Sequence, residues 1–147
     1  MAHGFSGFRE QRFDAYAERF VQAGMAVLVF DYRHFGDSDG TPRQLLSIRR
    51  QLQDWAAAIA FGRSLPGIDP QRIALFGTSL SGGHVLTMAA RDLTIAAVVA
   101  QVPACDCLRN LWPLGLPHRT RLTLAGLYDI TRSLIGLSPL FSQQSDW

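Results

Sequence analysis

The residues best suited to do chemistry are Gly77-Thr78-Ser79-Leu80-Ser81-Gly82-Gly83. They follow directly on the apolar run Ile73-Ala74-Leu75-Phe76 and open a helical pattern. A serine on a sharp strand-to-helix turn is the arrangement of a nucleophile elbow. Such a turn holds the serine in a strained backbone conformation, so the residues two before and two after it must be small. Gly77 meets the first requirement. Ser81 stands at the second, where glycine is usual, and adds one hydroxymethyl group where space is short. Gly77, Ser81 and Gly82 are therefore expected to shape the turn. Ser79 is the candidate nucleophile, with its hydroxyl exposed. The Leu80 N–H lies at a helix start, where it can point at an oxyanion. A glycine-rich turn could instead hold phosphate, but there is no G-x-G-x-x-G and no lysine follows as in a Walker loop.

Two other motifs precede the elbow. His3-Gly4-Phe5 has the form His-Gly-X, in which the N–H of X can act as a second oxyanion donor at a strand end. Further on, Asp31-Tyr32-Arg33-His34-Phe35-Gly36-Asp37-Ser38 has the form D-x-R-x-x-G-x-S.

These motifs need elements to hold them. Phe13, Tyr16, Ala17, Phe20 and Val21 line one face of a predicted helix over residues 9–23, and Gly24 stops it. Ala26 to Phe30 is apolar on both faces, as a buried parallel strand would be. Residues 33–42 form a loop. A second helix spans 43–63, with Ile48, Leu52, Trp55, Ala56 and Ile59 as its apolar stripe. A strand over 72–76, a helix over 80–91 and a strand over 95–102 follow. Pro113, Gly115 and Pro117 punctuate a loop that holds His118. A last helix spans 119–135. This alternation implies an α/β fold, a three-layer αβα sandwich around a mostly parallel sheet. Ligands of such sheets sit at the carboxyl ends of the strands, where all three motifs fall. Residues 1–107 read as core, and 108–147 as a cap region with an irregular tail.

Composition narrows the function classes. The chain has 147 residues, 48% hydrophobic and 18% charged, with a formal net charge of +2. That charge argues for no nucleic acid and no membrane partner. No apolar run is long enough to span a bilayer, and the first residues hold no apolar core of signal-peptide length. Cys105 and Cys107 are too close for an unstrained mutual disulfide and read as free thiols. The expected compartment is the cytoplasm.

The order of the three motifs resembles the α/β-hydrolase superfamily, in particular bacterial hydrolases near the serine aminopeptidases, X-Pro dipeptidyl-peptidase-like and dienelactone hydrolase-like proteins. The resemblance implies hydrolysis of ester or amide bonds of a small-molecule acyl substrate through an acyl-Ser79 intermediate, with no cofactor and no metal. It implies an oxyanion hole from the Leu80 and Phe5 N–H groups. It gives Asp31 and Arg33 a bracing role in their loop. An acyltransferase or perhydrolase would share the same acyl-enzyme.

The family also places an acid and a histidine base after the elbow. The only histidines after Ser79 are His84 and His118, and both read as bystanders. The strand ahead of His-Gly-X should lie between the 26–30 and 72–76 strands, and only Met1 and Ala2 remain of it. The chain therefore reads as a fragment of a longer hydrolase, an incomplete fold. The competing expectation is a truncated, catalytically inactive protein with a binding role or none.

Overall fold

A computed structural model of the chain describes residues 1–137, apart from residues 6, 8, 11, 107, 108, 110–112 and 114 and the side chain of residue 133. The end of the expected tail and Cys107 thus lie outside the described residues. The elements are α1 (Phe13–Gln22), α2 (Ile48–Ser64), β1 (Ala74–Thr78), α3 (Leu80–Arg91), β2 (Ala97–Gln101) and α4 (Leu116–Leu134).

The two strands pair in parallel, with Ala74 opposite Ala97 and Thr78 opposite Gln101. Side chains alternate across a strand, so β1 serves two layers. Leu75 turns into a cluster with Trp55 and Ile59 of α2 and Val85 and Met88 of α3. Phe76 turns the other way, into the rings of Phe13, Tyr16 and Phe20 on α1. Helices thus cover both faces of β1, while Ala97, Val99 and Gln101 of β2 are exposed, and the arrangement is that of an incomplete α/β-hydrolase fold.

Residues 26–30 are extended but form no regular ladder. Their neighbour is Met1: its amino group donates to the Leu28 carbonyl at 2.6 Å, and the Phe30 N–H donates to the Met1 carbonyl at 3.2 Å. On the other side the Ala2 N–H donates to the Phe76 carbonyl at 3.4 Å, and Ala2 bridges Gly77 in parallel. Met1 and Ala2 therefore sit between the 26–30 segment and β1, where the resemblance puts a strand. Two residues pair too little of residues 26–30 to make them a strand by ladder.

Several element bounds differ from the sequence expectation. Helix α2 begins at Ile48, not Arg43, because Ser47 caps it: its hydroxyl accepts from the Arg50 N–H at 3.4 Å. Strand β1 extends through Gly77 and Thr78, past the apolar run. Helix α4 begins at Leu116, so Pro117 and His118 are in its first turn and not in a loop. Proline is tolerated there because first-turn N–H groups have no helical partner. Helix α4 is exposed along most of its length.

The motif at Asp31 builds a rigid loop. The Asp31 carboxylate accepts from the Arg9 N–H at 2.6 Å, and the Ser38 hydroxyl donates to the Asp31 carbonyl at 2.7 Å. A side chain on Gly36, at φ +48°, would overlap the Asp31 carboxylate. Arg33 grips Asp54 of α2 through its side chain at 2.6 Å and through its N–H at 3.1 Å. Asp31 and Arg33 are thus braces, as the resemblance implies.

Leu28 and Phe30 turn their backbone groups toward Met1, so alternation turns those of Val27 and Val29 outward. A groove of about 400 Å³ runs along that side, lined by Leu28, Phe30, Ala57, Ala58 and Phe61 among others, and by no residue of the elbow or the His3 loop. An open edge beside apolar side chains recruits other chains. The 147-residue chain is expected to self-associate by light scattering as concentration rises. Val29→Pro removes the outward N–H while keeping an extended φ, and should reduce that association. Equal association in the proline variant would rule out pairing at this edge.

Candidate active site

Ser79 is the hinge between β1 and α3. Its backbone has φ 53° and ψ −116°, outside the helical, extended and left-handed regions. The residues around it leave the chain no other path. A Cβ on Gly77 would overlap the Ser81 carbonyl. A Cβ on Gly82 would sit 2.9 Å from Pro103 Cα and 3.2 Å from the Gln101 carbonyl. Both backbone groups of Ser79 are held: its N–H donates to the Gln101 carbonyl at 2.8 Å, and its carbonyl accepts from the Ala104 N–H at 2.9 Å. Strain of this kind costs of order 1–3 kcal/mol and persists only where surrounding packing imposes it.

The His3 loop meets the elbow directly. A Cβ on Gly4 would lie 2.9 Å from Ser79 Cβ and 3.1 Å from the Thr78 carbonyl. Only a glycine lets that backbone approach so closely. The sequence-predicted residues Ser79, Leu80, Ser81, Gly77, Gly82 and Phe5 therefore fall in one region, although Phe5 follows Gly4 by one residue and its side chain faces solvent. Leu80 opens α3, and no acidic residue stands in that first turn to offset its positive end. Among the described residues no hydrogen bond engages the Leu80 N–H, the Phe5 N–H or the Ser79 hydroxyl.

Ser81 departs from the expectation of a merely small residue. It is fully buried, and its oxygen accepts from the Tyr32 hydroxyl at 2.8 Å. Tyr32 in turn accepts from the Trp55 indole N–H at 2.8 Å. Burial raises the Tyr32 phenol pKa, so the hydroxyl stays protonated and donates. The space next to the turn is thus filled by a satisfied polar chain. Sequence reasoning missed Tyr32 and Trp55 as parts of this region. Tyr32 is the variable position of the D-x-R motif, and Trp55 reads only as an apolar stripe residue.

No histidine among the described residues reaches Ser79. His84 Nε2 lies 2.8 Å from Gln51 Oε1 on α2. His3 places Nδ1 2.9 Å from the Gly4 carbonyl and Nε2 3.6 Å from Asp31. His34 bonds the Pro42 carbonyl and Arg50. His118 is exposed on α4. Gln51 is the other side chain sequence reasoning missed. It is buried on the line Gln51, Trp55, Ile59, with His84 as its partner, while Leu52 packs partly buried against the core.

Burial lowers the His84 pKa from 6.5 to about 4. The unfolded chain therefore takes up this proton near 6.5 and the folded chain only near 4. The stability tied to neutral His84 is complete above pH 6.5 and is lost as the pH falls toward 4. Burial of the Met1 amino group, lowered from 8.0 to about 5, acts in the same direction at higher pH. Urea denaturation should show stability falling from pH 6.5 to 4, with a shallower fall in His84→Gln, which keeps a polar group for Gln51 but no titration. An unchanged slope in that variant would remove His84 from the account.

Comparison with known proteins identifies the family. The quorum-quenching protein AidA of Acinetobacter baumannii (strain MDR-ZJ06) is 50% identical over 140 residues, covering 95% of this chain and 46% of that protein. The thiohydrolase aneE of Aspergillus aculeatus is 39% identical over 106 residues, covering 72% of this chain and 33% of that protein. The crystal structure of the alpha/beta hydrolase GrgF from Penicillium sp. sh18 superposes with a TM-score of 0.79 at 28% identity, covering 95% of this chain and 47% of the other. The chain spans less than half the length of these relatives. The family described as serine aminopeptidase, S33 matches residues 1–135, so the chain belongs to that α/β-hydrolase family.

Proposed function

We propose that this chain carries the nucleophile and oxyanion hole of a serine hydrolase that cleaves ester or amide bonds. The observation that carries this reading is the strained Ser79 backbone at the β1–α3 junction, with Gly4 packed against it. A serine used only for structure has no need of such a conformation. The relatives support a hydrolase: one carries the name thiohydrolase.

In the proposed reaction, the Ser79 oxygen bonds to the acyl carbon. The bond from that carbon to the leaving oxygen or nitrogen breaks, and the hydroxyl proton ends on the leaving group. Water then releases the acid and restores the serine. The Leu80 and Phe5 N–H groups would donate to the oxyanion, aided by the positive end of α3. A small or medium apolar acyl substrate suits the apolar character of residues 108–140, read as a cap. No residue is assigned as acid or base, because none of the described histidines reaches Ser79.

The test is covalent. With an alkyl fluorophosphonate, the Ser79 oxygen bonds to phosphorus, the P–F bond breaks, and fluoride and the proton leave to buffer. Mass spectrometry should find one adduct, on Ser79, and none in Ser79→Ala. An adduct elsewhere, or an equal yield in the alanine variant, would overturn the assignment.

A further inference from the structure

We infer that the Tyr32 hydroxyl is a positioning group for the acyl transfer proposed above, because it couples the two backbone segments that carry the oxyanion donors. The inference rests on that reading of Ser79 and adds a residue to it. Tyr32 is 1% exposed and cannot meet substrate. It touches both segments nonetheless. Its hydroxyl donates to Ser81 Oγ at 2.8 Å, one residue beyond Leu80. Its ring meets the His3 ring edge-on, with centroids 4.9 Å apart, and His3 leads through Gly4 to Phe5. One rigid side chain is thus anchored to the start of α3 and to the His3 loop at once.

The direction of the hydroxyl is determined. The Trp55 indole N–H can only donate, and it occupies the Tyr32 oxygen at 2.8 Å. The Tyr32 proton is left for Ser81. With a glycine at 81, the usual residue in such turns, this anchor would have nothing to hold. The serine at 81 and the tyrosine at 32 are therefore two halves of one device. The ring is held on a second side by His84, whose centroid lies 5.9 Å away at 81°. Removing the hydroxyl alone leaves the ring contacts and frees the helix start from them.

A donor misplaced by a fraction of an ångström loses transition-state stabilisation without altering how substrate binds. Labelling by an alkyl fluorophosphonate separates the two, through the maximal rate of adduct formation and the concentration for half that rate. In the 147-residue chain, Tyr32→Phe and Ser81→Ala should each lower the maximal Ser79 labelling rate by about tenfold or more, with the half-rate concentration unchanged within twofold. The double variant should be no slower than the slower single, because each removes the same bond. Ile59→Ala, a core truncation on α2, should lower the melting temperature at least as much as Tyr32→Phe and leave the labelling rate unchanged.

A wild-type labelling rate in both Tyr32→Phe and Ser81→Ala, with the adduct still on Ser79, would overturn the positioning role. An equal loss of rate in Ile59→Ala would also overturn it, since the effect would then follow stability alone. If the unsubstituted chain formed no Ser79 adduct, the failure would belong to the proposed nucleophile, and the positioning role would fall with it.

Discussion

The structure depends on one close approach, that of the Gly77 backbone to the Ser81 carbonyl across the turn between β1 and α3. It leaves no room for a Cβ at 77, and it forces Ser79 into a conformation that L-residues avoid. The turn cannot relax in isolation. The Ser79 N–H is bound to the end of β2, and its carbonyl to the segment just beyond β2. The same two strands are bound along their length, so relieving the strain would mean breaking the ladder. The energy stored at Ser79 is therefore held by hydrogen bonds that lie outside the turn.

The other elements support that turn from four sides. Leu75 and Val85 place β1 and α3 in the same buried cluster, with Trp55 of α2 against them. Phe76 anchors the opposite face to α1. The Asp31 loop, clamped to α2 by Arg33, carries Tyr32 under the start of α3. The His3 loop closes over Ser79 because Gly4 has no side chain. Helix α3 starts directly after Ser79, whose hydroxyl no histidine of the described residues approaches.

Much of this was legible in the sequence, for reasons that can be stated residue by residue. The turn is a local device, so the spacing of Gly77, Ser79 and Ser81 between an apolar run and a helical pattern makes it readable. The glycine that allows the His3 loop to approach is equally local. The apolar runs that became β1 and β2 were readable because each is a short continuous apolar stretch, although only β1 is buried and β2 leaves Val99 exposed. What could not be read were contacts between distant positions that offer no periodic signal. Gln51 looks like a polar interruption of an apolar stripe until His84, on another helix, is placed opposite it. Ser81 looks like a tolerated substitute for glycine until Tyr32 is brought beneath it. Helix α4 started early because Pro117 reads as a breaker in sequence, whereas position in the first turn makes it harmless.

The most direct test of the central claim compares Ser79→Gly with Ser79→Ala in equilibrium urea denaturation. Both remove the hydroxyl, and only glycine adopts φ 53° and ψ −116° without steric cost. At an unstrained position alanine is the more stable by about 0.5–1 kcal/mol. If packing imposes strain on Ser79, the order reverses, and the glycine variant should exceed the alanine variant by about 1 kcal/mol or more. An alanine variant as stable as the glycine variant, or more stable, would contradict a strained elbow.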